Sequence, residues 1–101
     1  MSNFNEIIGA EKPTLVDYFA TWCGPCKMQG PILETVKNHV GDEANIVKID
    51  VDKNEELAAH YRVQSVPTLM LFKSGELLWR AAGVQQADFL EAKIREYISQ
   101  E

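Results

Sequence analysis

The sequence predicts an α/β fold: a central mixed sheet of four, at most five, strands flanked by helices on both faces. Three observations carry that expectation. Two short runs of strand formers, Thr14-Leu-Val-Asp-Tyr-Phe-Ala20 and Asn45-Ile-Val-Lys-Ile-Asp-Val51, enclose a helical stretch. The stripe in that stretch is Met28, Ile32, Val36 and Val40, spaced by four. Further on, residues 68–73 and 76–81 flank Ser74-Gly75, a hairpin signal.

The run from Thr14 is nearly continuous in apolar residues, which marks a strand buried on both faces; the run from Asn45 reads the same way. The intervening helix is expected over residues 24–39, with Gly41 as its stop and Pro31 inside it as a kink. Strand, helix and strand at this spacing make a βαβ unit, hence parallel pairing and a right-handed crossover. A short helix is expected over residues 54–61 with Asn54 as its cap. The hairpin then adds antiparallel strands. The last helix is expected over residues 87–99, with an apolar face of Phe89, Leu90, Ile94, Tyr97 and Ile98. Residues 4–10 read as a short opening helix.

A chain of 101 residues suits one domain, residues 1–101, and its 46% hydrophobic content can supply a core. Fifteen acidic residues outnumber ten scattered basic ones, for a net charge of -5, which speaks against binding nucleic acid. The opening MSNFNEIIGAEK has neither a basic start nor an apolar run of signal-peptide length. No stretch approaches the ~20 apolar residues of a membrane helix. The expectation is therefore a cytoplasmic protein without membrane contact.

Chemistry is concentrated in Trp22-Cys23-Gly24-Pro25-Cys26-Lys27, where the first strand gives way to a helix. The chain has two cysteines, and the loop between them is too short to staple a fold. A helix turns once in ~3.6 residues, so positions 23 and 26 share a side and can reach disulfide distance. Cys23 stands at the helix N-terminus, where free amides and the macrodipole favour a thiolate. Cys26, one turn in, is expected to be the more buried. The pattern is that of an attacking thiolate, Cys23, and a resolving thiol, Cys26. Pro25 loses only an amide that would be unpaired there, and Gly24 leaves room for a docking partner. Zinc is disfavoured because His39 and His60 lack ligand spacing, and an iron–sulfur cluster normally takes four cysteines.

The segment Val16-Asp-Tyr-Phe-Ala-Thr-Trp-Cys-Gly-Pro-Cys-Lys-Met28 resembles the active-site segment of the thioredoxin family, in the Cys-Gly-Pro-Cys form of its reducing members. Pro31, Lys48 in Val47-Lys-Ile-Asp50, Val66-Pro67-Thr68, Phe72-Lys-Ser-Gly75 and Gly83 extend the resemblance over residues 13–98. It implies a protein-disulfide reductase of thioredoxin-like fold that works as a monomer. Oxidised client proteins are its substrates, an NADPH-dependent reductase recycles it, and its redox-active Cys23–Cys26 disulfide replaces any bound cofactor. It further implies a cis Val66–Pro67 bond, and a client groove made by Trp22, Gly24, Pro25, Val66, Pro67, Ala82 and Gly83.

Asp17 is the polar residue in an otherwise apolar strand. A strand covered on both faces offers it no water, and a buried carboxylate is costly unless paired; Lys48 on the next strand is the available cation. The resemblance makes Asp17 the group that manages the proton of Cys26, with Lys48 beside it. The departures from the family are a missing first strand, which leaves an open sheet edge, Phe19 where many relatives have Trp, and Gln29-Gly30 before Pro31, expected to loosen the helix. His39 and His60 read as surface residues, Tyr61 and Trp79 as packing, and Asp50, Asp52, Glu55 and Glu56 as a solvated acidic face. The competing class is a binding adaptor that uses the groove alone. It has no need of Cys23, Cys26, Asp17 or Lys48.

Overall fold

The computed structural model describes residues 2–98. In chain order they form α1 (Ser2–Ile8), β1 (Thr14–Phe19), α2 (Gly24–Val40), a 3-10 turn (Gly41–Glu43), β2 (Asn45–Asp50), α3 (Glu55–His60), β3 (Thr68–Lys73), β4 (Glu76–Ala82) and α4 (Ala87–Ile98). The expected last residue of the final helix, Ser99, lies outside the described residues. The strands make one sheet in the order β2-β1-β3-β4, with β1 and β2 parallel and the other pairs antiparallel.

β1 and β3 are central and fully covered, as their apolar runs predict. β2 is not covered on both faces: it is one of the two outer strands, and its residues are half-buried or exposed. Among the described residues no strand pairs with the outer side of β2. The hairpin closes through Ser74 and Gly75, both at positive φ (52° and 84°), the combination that matches strand twist in a two-residue turn. Their amides donate to the carbonyls of Ala10 and Ile8, tying the hairpin tip to the end of α1.

Alternation along β1 and β3 separates two cores. Leu15, Leu69 and Leu71 face α2 and α4, meeting Leu33, Val36, Val40, Leu90 and Ile94. Val16, Tyr18, Met70 and Phe72 face α1 and α3, meeting Phe4, Ile8 and Leu57. The second core is aromatic: Phe4 lies 5.6 to 6.5 Å, centre to centre, from the rings of Tyr61, Phe72 and Tyr18. Tyr61 and Trp79 pack as expected.

Helix α2 runs unbroken through Gly30 and Pro31, and Gly41, at φ 55°, ends it. Its buried stripe is Cys26, Gln29, Leu33, Val36 and Val40, not the expected series from Met28, which is 63% exposed. The reason is rotational. A strict spacing of four turns about 40° per step away from a fixed direction, so a stripe centred on Val36 and Val40 has left the core by Met28. Asn54 precedes α3 but does not cap it through its side chain; its Nδ2 donates to the Asp50 carbonyl at 3.0 Å instead.

Candidate redox site

β1 delivers the chain to the C-terminal end of the sheet, and α2 starts there. Cys23 is the N-cap of α2, in extended conformation (φ -91°, ψ 115°), and its sulfur accepts the Cys26 amide at 3.1 Å. Pro25 lies in the first turn of the helix. Cys23 and Cys26 are joined as a disulfide, with Cα atoms 5.3 Å apart. One expectation is corrected here. In the disulfide the two cysteines are almost equally buried, 4% and 6% exposed, so burial does not tell them apart; their hydrogen-bonding environments do. Cys23 Sγ has the Cys26 amide on one side and the Val66 carbonyl oxygen 3.5 Å away on the other. An amide aimed at a sulfur stabilises its thiolate.

Three segments converge on Cys23. The Val66–Pro67 peptide is cis. The Gly83 amide donates to the Pro67 carbonyl at 2.8 Å, docking the loop after β4 against the cis-proline loop. Gly83 does this at φ 88°, a conformation that other residues adopt only under strain. Trp22, 70% exposed, is held by a hydrogen bond from its Nε1 to Asp52 Oδ2 at 2.9 Å, and Asp50 Oδ1 in turn accepts the Asp52 amide. Trp22 and Val66 line one shallow apolar pocket of 150 Å³ with Val51 and Val63. Gly24, Pro25, Ala82 and Gly83 are exposed, Val66 is half-buried and Pro67 is buried. A side chain at Gly24 would project into open space.

On the other side of the disulfide, Cys26 borders a 330 Å³ cavity with Phe19, Lys27 and Lys48. Asp17 lies on the same face of β1 as Leu15, under α2, and is fully buried. Neither of its oxygens has a hydrogen-bond partner. Burial pushes its carboxyl up to about 6, with Lys48 pulling the other way. Lys48 faces Asp17 across the β1–β2 ladder, yet among the described residues the two form no ion pair; the ammonium sits over the Phe19 ring, 4.8 Å from its centre. The expected pairing is therefore an attraction at a distance, too weak to offset the desolvation.

Three residues around the site escape the sequence reading. Asp52 belongs to the acidic stretch taken as solvated, and it holds Trp22. Gln29 and Gln85 form a partly buried link between α2 and the loop after β4: Gln29 Nε2 donates to the Gln85 carbonyl at 3.0 Å, and the Gln85 amide donates to Gln29 Oε1 at 2.8 Å. The signal for Gln29 was its position three residues after Cys26, on the same helical face. Among the described residues no cluster of His, Cys, Asp and Glu could hold a metal ion, and no helix is long and apolar enough to cross a membrane.

The thioredoxin family profile matches residues 1–96. A thioredoxin-like protein of Synechocystis is 48% identical over 98 residues, 96% of this chain and 93% of its own length. A bifunctional thioredoxin reductase/thioredoxin of Mycobacterium leprae is 42% identical over 84 residues, 83% of this chain and 18% of that protein. The solved structure of a mutant thioredoxin from Halobacterium salinarum superposes with a TM-score of 0.89 at 37% identity, covering 100% of this chain and 88% of its own.

Proposed function

This chain belongs to the thioredoxin family of protein-disulfide oxidoreductases, and from that premise we propose how its residues divide the work of dithiol–disulfide exchange. Cys23, as thiolate, attacks one sulfur of a client disulfide. That S–S bond breaks, a mixed disulfide forms, and the displaced client thiolate takes a proton from water. Cys26 then gives its thiol proton to the Asp17 carboxylate and attacks the Cys23 sulfur. The Cys23–client S–S bond breaks, the second client sulfur leaves as a thiolate and takes a proton from water, and Asp17 returns its proton to solvent; the client is reduced by two electrons, while Cys23 and Cys26 end as a disulfide. Lys48 keeps the Asp17 carboxyl from rising further, so that a usable fraction is ionised near neutrality.

The observation that carries the assignment of roles is the Cys26 amide held 3.1 Å from Cys23 Sγ at the start of α2. An extended client segment lies across Trp22, Gly24, Pro25, Val66, Pro67, Ala82 and Gly83, beside the attacking sulfur. The exposure of Trp22, Gly24, Ala82 and Gly83 supports that reading. The chain works as one domain and a monomer in the cytoplasm, binds no cofactor, and is recycled by a separate NADPH-dependent reductase. The fused reductase and thioredoxin of M. leprae supports a partner of that kind.

Brief iodoacetamide treatment of the reduced protein at neutral pH, followed by mass mapping, tests the roles. Cys23 is expected to carry nearly all the label, and dominant labelling of Cys26 reverses the assignment. In insulin reduction driven by dithiothreitol, Cys23→Ser abolishes activity, while Cys26→Ser accumulates the mixed disulfide.

A further inference from the structure

Gln29 is a large polar side chain with 0% exposure in the middle of an apolar helix face. Amides so placed are costly unless paired, and this one is paired in a particular way. It uses one donor and one acceptor, and both partners are main-chain atoms of Gln85. The Gln85 side chain turns back to donate to the carbonyls of Gly83, at 3.2 Å, and Ala82, at 3.4 Å. Gly83 donates to the Pro67 carbonyl, and the Val66 carbonyl faces the Cys23 sulfur. A continuous chain of contacts thus runs from α2, one turn after Cys26, through the loop after β4, to the cis-proline loop and back to Cys23.

We propose that Gln29 is a positioning residue for client docking: its paired hydrogen bonds to the main chain of Gln85 hold the Ala82–Gly83 wall of the groove in register with Val66–Pro67 and the attacking sulfur. The inference rests on the groove reading given above. An apolar side chain at 29 could fill the same space in the core, but it could not grip a loop at both a carbonyl and an amide. Without the grip the wall fluctuates, and an extended client must order it on binding, which weakens affinity and leaves the chemistry of the bound complex alone. A small disulfide that reaches Cys23 without spanning the groove should not sense the change.

Gln29→Met, of similar length and without hydrogen bonds, is expected to raise the KM for insulin about tenfold, the cost of roughly one net hydrogen bond or slightly more, with kcat unchanged. The rate towards hydroxyethyl disulfide should stay at the wild-type value. Equal losses towards both disulfides, or an unchanged insulin KM, would overturn the inference. Trp22→Ala in parallel separates this from failure of the groove reading: if Trp22→Ala raises the insulin KM and Gln29→Met does not, the groove stands and the Gln29 role falls. If neither moves it, the groove reading itself is wrong and the Gln29 role falls with it. Should Gln29→Met not fold, Gln29→Glu carries the same test. A protonated carboxyl can replace both bonds, accepting from the Gln85 amide and donating to its carbonyl, whereas the carboxylate cannot donate; burial pushes such a carboxyl upward. The insulin KM relative to wild type should be near one at about pH 5 and rise towards tenfold by about pH 8. A flat ratio across that range overturns the proposal.

Discussion

Among the described residues, each face of the sheet buries one polar side chain with atoms that have no hydrogen-bond partner, and the two come from consecutive residues of β1. Asp17 points towards α2 and α4, Tyr18 towards α1 and α3. Both are fully buried, and burial raises the pKa of both. The consequences differ. The Tyr18 phenol starts near 10 and moves further up, with Tyr61 adding to the burial and Arg80 opposing it, so it stays neutral at any physiological pH. The Asp17 carboxyl starts near 4 and is brought to about 6, close enough to neutrality for the proton-accepting role proposed above. The same physical cost is silent on one face and usable on the other, because only the Asp17 face lies beneath a reacting thiol's helix.

Four substitutions sharpen or break that contrast, in descending order of expected effect. Phe4→Ala opens the aromatic core and should cost about 3–5 kcal/mol of stability, measured by urea melting, with the rate per folded molecule unchanged; a large fall in that rate would couple the two faces. Asp17→Asn should do the reverse. Its folded pKa lies above the unfolded value of 3.8, so the native state binds the proton more tightly. Asp17 is neutral in its effect below about pH 4 and destabilises as pH rises through about 6, by roughly 3 kcal/mol at pH 7. Asn should recover much of this at pH 7, lose the advantage in acid, and slow release of the mixed disulfide about a hundredfold. A variant that is less stable at pH 7, with normal release, would mark Asp17 as a satisfied structural residue. Tyr18→Phe removes the other orphan and should be neutral to stabilising by about 1 kcal/mol, with no kinetic change and no new pH dependence between 4 and 9; either change would end the asymmetry. Trp22→Phe, which loses the bond to Asp52 and part of the ring surface, should shift melting by less than about 1 kcal/mol and mainly reduce client affinity.

Much of this arrangement is legible in the residues. The order of elements follows from two apolar runs, one stripe and a Ser-Gly turn. Cys23, Cys26, Asp17 and the cis Val66–Pro67 bond stand where motif and context place them. The rest fails for identifiable reasons. A spacing of four misphases α2, exchanging exposed Met28 for buried Gln29. Asp52 looked like one more solvated acid, because a hydrogen bond to an indole thirty positions away leaves no local trace. Gln29 binds main-chain atoms of Gln85, and main-chain atoms have no sequence signature at all. Lys48 is the available cation on the next strand, but a long flexible side chain can lie along an aromatic ring instead.

That placement of Lys48 bears on how the molecule behaves in a crowd. The amides of Asn45 and Val51 turn towards β1, so by alternation those of Ile46, Lys48 and Asp50 face outward. The Asp50 carbonyl is already taken up by the Lys53 amide and the Asn54 side chain. What remains is a short template for another strand; exposed Lys48 occupies its midpoint, with the ammonium turned back over Phe19. Any chain zipping onto this margin must desolvate or displace that charge, and a second copy would bring its own ammonium to the same place. Lys48 is therefore expected to oppose self-association at this margin. A Lys48→Leu protein that stayed monodisperse by light scattering at high concentration would assign that protection elsewhere.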